Sequence, residues 1–334
     1  MNTVRPDTFK AIATPKLILP LKVCIVGAFE NQYSDNNHLY NRFRYNKNIN
    51  ITRVDKFDYR KYLRTLSKEK FIEKFVEAAK RVDLMIICKG NGIHKEAVEE
   101  ASEYTTLYYF MMDVSSHFKN SSMVEMSKYC HYRSCTGFGV AKDLCNLINL
   151  PVYHLVHGSD SFTFKPPRAI IKKDIDISFI GGKDEERNKY YDVLKTIKGL
   201  KVEFHGPGFD GYVPPKDVVN IYRRSKLVLN ISRGNYAGYT SIRLWNIMNA
   251  GAFALTKKIK ELHLLELENG THLDSFNTPQ ELIFKIKYYI DNEKKRNLIA
   301  KNGHEFAIKE RTWKKTAERI LSVVLEYEGY KIYE

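Results

Sequence analysis

Cysteine is sparse in this 334-residue sequence: Cys24, Cys88, Cys130, Cys135 and Cys145 are all there are, mostly in apolar contexts. An odd, scattered set in a chain this long argues against a disulfide framework. Cys130 and Cys135 have His131 between them, but zinc sites use tighter pairs and a second pair, so no metal is expected. Long apolar runs are missing too. None approaches the roughly 18 residues needed to span a bilayer. The apolar stretch 17–29 is interrupted by Pro20 and Lys22, and no small-residue cleavage site follows. It reads as a buried strand behind a loose N-terminal extension, not as a signal peptide, and a cytoplasmic protein is expected. Acidic side chains are outnumbered, 39 Asp and Glu against 54 Lys and Arg, which leaves a net charge of +15. Part of that excess reflects a Lys/Asn/Ile/Tyr-rich composition. The rest favours a polyanionic partner, nucleic acid or an anionic membrane face, over a merely solvated basic surface.

What is present is a globular composition, 43% hydrophobic and 28% charged, in a chain long enough for two α/β domains of about 150 residues each. The first half alternates strand and helix signals. Residues 21–29 form a short apolar run ending near Gly27, 49–57 a weaker strand, and 83–88 a strand closed by Gly90 and Gly92. Residues 67–81 carry Phe71, Ile72, Phe75, Val76 and Ala79 at helical spacing behind Ser67 as N-cap. A helix over 94–104 follows, then a strand over 106–112 that delivers Asp113 to its carboxyl end. The second half repeats the rhythm. It has strands at 176–180, 201–205, 227–232 and 252–256, and helices at 187–197 and 241–249. A short helix capped by Asp217 and a helical tail from Pro279 complete it. Strands alternating with helices imply parallel sheets with right-handed crossovers. The expected domains are 1–157 and 174–334, joined by a Pro-containing linker over 158–173.

Several stretches of the second half, in order, resemble the C-terminal domain of GT-B glycosyltransferases, closest to the spore-maturation-type, group 1 branch. The segment from His157 to Pro166 resembles the family's G-[VS]-D-x-x-x-F-x-P linker. The strand 177–181 followed by Arg187 resembles its F-x-G…R element. Residues 221–230 resemble Y-x-x-[AS]-K-x-x-L-N. Arg243-Leu244-Trp245-Asn246 to Gly251-Ala252 resembles R-x-[FW]-E…A-x-G-[AC]. The resemblance implies an α/β protein of the GT-B class, two Rossmann-like domains facing a central cleft, with a nucleotide-sugar donor bound by the C-terminal domain. It expects a Glu at position 246 to hold the donor ribose. The Asn present there can hydrogen-bond a hydroxyl but supplies no charge.

A leaving diphosphate needs fixed donors: backbone N–H groups at a helix N-terminus, and Arg or Lys. Arg187 and Arg243 are the expected diphosphate ligands, with Arg233 third and Ser241 as N-cap of the helix carrying Arg243. Gly181, Gly182, Gly206 and Gly208 would let backbone approach the donor, and the resemblance puts the 206–211 loop near the nucleotide base. That loop formally matches G-x-G-x-x-G, but it runs into Tyr212-Val213-Pro214-Pro215 rather than opening a helix, so it is not a dinucleotide fingerprint. Asp174 and Asp176 form a D-x-D that starts a strand instead of ending one, which argues against metal ligation. No metal and no cofactor beyond the sugar donor are expected. Asp113 is the candidate base for an acceptor hydroxyl, although the resemblance leans to retention, in which the leaving phosphate takes the proton.

The segment 40–64 interleaves Arg42, Arg44, Lys47, Arg53, Lys56, Arg60, Lys61 and Arg64 with Tyr40, Phe43, Tyr45, Phe57, Tyr59 and Tyr62. Basic groups grip phosphates and aromatic rings stack on bases. Because it follows the first strand, the segment is expected at the acceptor cleft, with Arg42, Arg44, Tyr45 and Lys47 as acceptor contacts. The plain alternative is a helix with an aromatic core face and a basic solvent face. The leading expectation is a glycosyltransferase acting on a polyanion, such as a hydroxylated base of phage-type DNA, in which case the compartment is the host cytoplasm. A glycosyltransferase for a surface or lipid-linked glycan is the second reading. A non-catalytic nucleic-acid-binding protein on a degenerate transferase fold is the third.

Overall fold

The computed structural model describes residues 3–5, 17, 20–30, 34–45, 50–112, 119 and 121–327. Asp113 and Lys47, named above as candidates, lie outside them. The chain divides into two compact units, Met1–Val156 with the chain from Trp313 onward, and His157–Thr312.

Unit 1 begins with a short strand β1 (Thr3–Val4), then β2 (Leu21–Gly27), α1 (Asp35–Arg44), β3 (Ile51–Asp58), α2 (Tyr59–Thr65) and α3 (Lys68–Ala79). It continues through β4 (Leu84–Cys88), α4 (Lys95–Ala101), β5 (Thr106–Met111), α5 (Ser122–Ser127), β6 (Tyr132–Cys135), α6 (Phe138–Ile148) and β7 (Val152–His154). The strands form one sheet in the order β1-β7-β6-β5-β4-β2-β3, parallel except for β1. Strands β4 and β5 are buried at every position, as expected where helices cover both faces of a parallel sheet. Ser67 caps α3 by accepting the Lys70 N–H at 3.4 Å, so the cap read from sequence forms.

Unit 2 holds β8 (Ile175–Ile180), α7 (Glu185–Lys195), β9 (Val202–His205), α8 (Pro215–Arg224), β10 (Ser225–Asn230) and α9 (Ile242–Asn249). Then come β11 (Ala254–Lys257), β12 (Asp274–Phe276), α10 (Pro279–Asp291) and α11 (Glu293–Glu310). Its five strands are all parallel, in the order β12-β11-β10-β8-β9. In both sheets the chain leaves one strand for a neighbour on one side and then crosses to the other side. The first sheet therefore has a topological switch point between β2 and β4, and the second between β8 and β10, the places where open α/β sheets bind ligands.

Two expectations are corrected. The chain from 174 to 334 is not one domain: the last helix, α12 (Trp313–Tyr327), belongs to unit 1. There it packs on α1 and buries Trp313, Ala317, Ile320, Leu321 and Val324. The amphipathic pattern of a helix states that it has an apolar face, not which sheet receives it. Asp217 does not cap α8 either. Pro214 holds the N-cap position and Asp217 sits in the first turn, where its charge still suits the positive end of the helix.

Candidate functional site: the arginine cluster of unit 2

The site forms at the carboxyl ends of β8 and β10. Strand β8 runs through buried Phe179 to Ile180 and gives way to Gly181 and Gly182. Glycine is required here by close approach. A Cβ on Gly181 would come within 2.5 Å of Arg243 Nη2, and one on Gly206, whose φ is +125°, within 2.5 Å of the Gly181 carbonyl oxygen. The two glycine turns thus lie against each other. Gly208 approaches Lys183, and Gly182 lies by Arg233 Nη2 and the Pro207 carbonyl.

Arg187, in the first turn of α7, is 4% exposed. Its Nε and Nη2 donate to the Ile231 carbonyl at 3.1 and 2.9 Å, and its Nη1 donates to the Gly182 carbonyl at 2.7 Å. Arg243, in the first turn of α9, donates from Nε to the Ile180 carbonyl. Its Nη1 reaches Asn230 Oδ1 at 3.3 Å, the Ile231 carbonyl at 3.2 Å and Ser241 Oγ at 3.2 Å. Both guanidinium groups lie against the Phe179 ring, 5.4 and 4.8 Å from its centroid. Carbonyls and a ring fix the two cations without neutralising them. Asp184, 3.2 Å from Arg187 and 3.3 Å from Arg233, is the carboxylate paired with the cluster. Burial, and then the Arg243 charge, push the Arg187 pKa down to about 10, and burial lowers that of Arg243. Arg187 stays cationic at neutral pH, in an environment that would gain from an anion.

Two helix N-termini open on this region, and they differ. In α7 the Asp184 carboxylate accepts the Arg187 N–H at 2.9 Å, and Glu185 and Glu186 fill the first turn. In α9 the N-cap Ser241 makes no side-chain cap bond and the first turn holds no acid. Ser241 Oγ donates instead to Asn230 Oδ1 at 3.3 Å. The first turn of α9 therefore keeps backbone N–H donors for an incoming anion, beside Arg243.

The structure brings Gly181, Gly182, Arg187, Gly206, Gly208, Arg233, Ser241 and Arg243 into one neighbourhood. Asn246, three residues on from Arg243 in α9, accepts from Ser159 Oγ through its Oδ1 at 2.7 Å, tying α9 to the segment that opens unit 2. Sequence reasoning missed Phe179, the platform for both arginines, and Asp184. The F-x-G…R spacing marked Phe179, but a buried strand aromatic reads as core until the arginines are seen against it. Asp174 and Asp176 are held by cations, Asp174 by Arg224 and Lys201 and Asp176 by Lys226 at 2.7 Å. No group of three or more His, Cys, Asp or Glu able to hold a metal occurs among the described residues. His131 Nδ1 accepts the Leu107 N–H at 2.9 Å, and burial pushes the Cys130 and Cys135 thiols up to about 12.

In unit 1 the basic segment is split by the fold. Helix α1 starts at the carboxyl edge, where Ser34 Oγ and Asn36 Nδ2 donate to the Ala28 carbonyl at 3.3 and 3.0 Å. It runs back to the amino edge, where Leu21 N–H donates to the Asn50 carbonyl at 2.8 Å. Arg42, Arg44 and Tyr45 close α1, so they sit at the amino end of the strands, not at the ligand-binding edge expected for them. Arg44 lies over the Tyr45 ring at 5.5 Å. Arg60, Lys61 and Arg64, on α2 after β3, are the basic residues that start from the carboxyl edge.

Residues 187–322 match the family model described as "Glycosyl transferase-like". No curated protein sequence matches. Among solved structures, Anabaena Alr3699/HepE in complex with UDP-glucose superposes with a TM-score of 0.67 at 13% identity, over 91% of this chain and 99% of that one. Sucrose-phosphate synthase from Thermosynechococcus elongatus gives 0.63 at 11%, over 92% and 99%. The DNA modifying enzyme beta-glucosyltransferase gives 0.56 at 15%, over 91% and 99%. The chain has the GT-B glycosyltransferase fold. Arg187, Arg233 and Arg243 all lie within the residues that this family model matches. No helix among the described residues is long and apolar enough to cross a membrane.

Proposed function

We propose that the protein transfers a sugar from a nucleoside diphosphate sugar to a hydroxyl of a polyanionic acceptor, foremost a hydroxylated base of DNA. The observation that carries the donor half is the Arg187–Arg243 pair on Phe179, facing an uncapped helix N-terminus at the switch point of unit 2. As the bond between the anomeric carbon and the phosphate oxygen breaks, charge grows on the diphosphate, and these preorganised cations stabilise it. In the retaining route that the resemblance favours, the acceptor oxygen bonds to the anomeric carbon and the acceptor proton passes to the departing phosphate. Asp113 is the candidate base if the product is inverted. Complexes of the similar HepE with UDP and UDP-glucose support a uridine donor as the first to test.

The acceptor half rests on the net charge of +15, on the basic start of α2, and on likeness to a DNA-modifying enzyme. Thermal shift with a panel of nucleoside diphosphates tests the donor: at least one should raise Tm at millimolar concentration, and a flat panel removes the donor assignment. Mass spectrometry of hydroxymethylated and plain DNA, incubated with the protein and the stabilising nucleotide's sugars, tests the acceptor. Tight binding to anionic vesicles with no DNA binding at low salt would promote the glycan reading.

A further inference from the structure

The switch point of unit 1, between β2 and β4, carries a cleft of about 250 Å3 lined by Ala28, Glu30, Ser34, Asp35, Asn36, Arg60 and Lys89. Its position in its own sheet is the one the arginine cluster occupies in the other. Several features are arranged for it. A Cβ on Gly27 would meet the Asn36 side chain at 2.6 Å, so a glycine at the end of β2 lets the first turn of α1 settle onto the strand. Lys89, after β4, is held at φ 65°; its N–H donates to the Phe110 carbonyl at 3.1 Å and its carbonyl accepts from Tyr109 at 3.0 Å. A non-glycine residue in that conformation is uncommon and costs energy, and such residues gather at functional sites.

The polar groups of this cleft are incompletely used. Asn36 is 3% exposed, and its Oδ1 is buried without a hydrogen-bond partner. An orphaned buried acceptor of this kind calls for an explanation. Asp35 and Arg60 make no hydrogen bond or ion pair among the described residues, whereas the neighbouring Glu30 is satisfied by Arg64 at 2.6 Å. A carboxylate and a guanidinium with no side-chain partner among the described residues therefore line one concavity. A ligand that satisfies both offers hydrogen-bond donors, such as hydroxyls, to Asp35 and an anion to Arg60.

We infer that this cleft is a binding site for a nucleotide whose base bears a hydroxyl, with Asp35 accepting from that hydroxyl and Arg60 holding the phosphate. It deepens the acceptor reading proposed above, since a hydroxylated nucleotide within DNA has both groups. The test is titration of the full chain with 5-hydroxymethyl-2′-deoxycytidine 5′-monophosphate, plain 2′-deoxycytidine 5′-monophosphate and inorganic phosphate, in parallel with UDP. The hydroxymethyl nucleotide should bind tightest, and both Asp35→Asn and Arg60→Glu should weaken it at least about tenfold. Asp35→Asn should also abolish its advantage over the plain nucleotide, and UDP binding should be unchanged in both variants. Unchanged affinity in folded variants, inorganic phosphate binding as tightly as the hydroxymethyl nucleotide, or no binding of it at all would overturn the inference. Loss of UDP binding by the unsubstituted chain would instead strike the donor reading and leave this one standing. Should Asp35→Asn melt early, Asp35→Glu serves in its place, keeping the charge and shifting the oxygen, with the same expected loss.

Discussion

Arg187 and Arg243 both hold backbone carbonyls, and Arg243 also sits in the first turn of α9 beside its open N-terminus, so their removal should read out differently. Arg187 supplies hydrogen bonds to the Gly182 and Ile231 carbonyls from a buried position. Arg187→Ala leaves the Gly182 carbonyl unpaired and the Ile231 carbonyl with Arg243 alone, at a cost of about 1–3 kcal/mol. A calorimetric melt should show Tm lower by several degrees, and an unchanged Tm would mean the carbonyls find other partners. Arg243 lies beside the uncapped N-terminus of α9, so Arg243→Ala should lower turnover at least about tenfold through lost stabilisation of the leaving group. Arg243→Lys should fail to restore it, because an ammonium cannot reproduce the planar fork. Wild-type turnover in a folded Arg243→Ala variant would take this residue out of the site. Asp184→Asn keeps a side-chain oxygen for the cap while removing the anion paired with Arg187 and Arg233. The dissociation constant for UDP should tighten about three- to tenfold, the size of one partly screened charge contact; weaker binding would show that Asp184 is needed to aim Arg233.

At the scale of elements, the loop between β11 and β12 contains a pH-sensitive contact. His272 Nδ1 accepts the Glu268 N–H at 3.1 Å, and its ring lies 5.1 Å from that of Phe306. Burial lowers the His272 pKa below its usual 6.5, against a smaller opposing pull from Glu268. A histidine whose folded pKa is depressed contributes its full stability above the unfolded value. That contribution is lost as pH falls from about 6.5 through the folded pKa, because the unfolded chain takes up the proton first. Tm should therefore decline over that window, and His272→Gln should flatten the decline. Equal slopes in the two proteins would place the pH dependence elsewhere. The elements themselves were legible where periodicity was strong: β2, β4, β5, α3 and β8 to β11 fall close to where their apolar runs put them. Helix α2, strand β12 and the β6–α6–β7 stretch were not read; α2 is only Tyr59–Thr65, β7 only Val152–His154 and β12 only Asp274–Phe276, too short for a repeat to stand out.

For the whole molecule, the excess of positive charge predicts salt-dependent association with DNA, and the fold predicts which charges matter. Each phosphate neutralised adds roughly 0.9 to the slope of log affinity against log salt. Reversing Arg60 and Lys61 to Glu should flatten the slope by about two units, and reversing Arg42 and Arg44 should alter it less. Equal effects would indicate a diffuse field rather than a local surface.

The order of apolar runs, glycines and arginines along the chain determined that this is a two-unit α/β protein, and it singled out Arg187 and Arg243. Both are local properties, since period and spacing survive without knowledge of the partner surface. Only the tertiary structure decided three further matters. It assigned α12 to unit 1, because the sequence of an amphipathic helix does not name its partner. It set Arg42 and Arg44 at the amino edge, because a crossover helix reverses direction between its first and last turns, so one basic segment is divided between two ends of a sheet. It also placed both guanidinium groups against Phe179, from positions 187 and 243, because residues far apart in sequence meet only where strand order brings β8 beside β10.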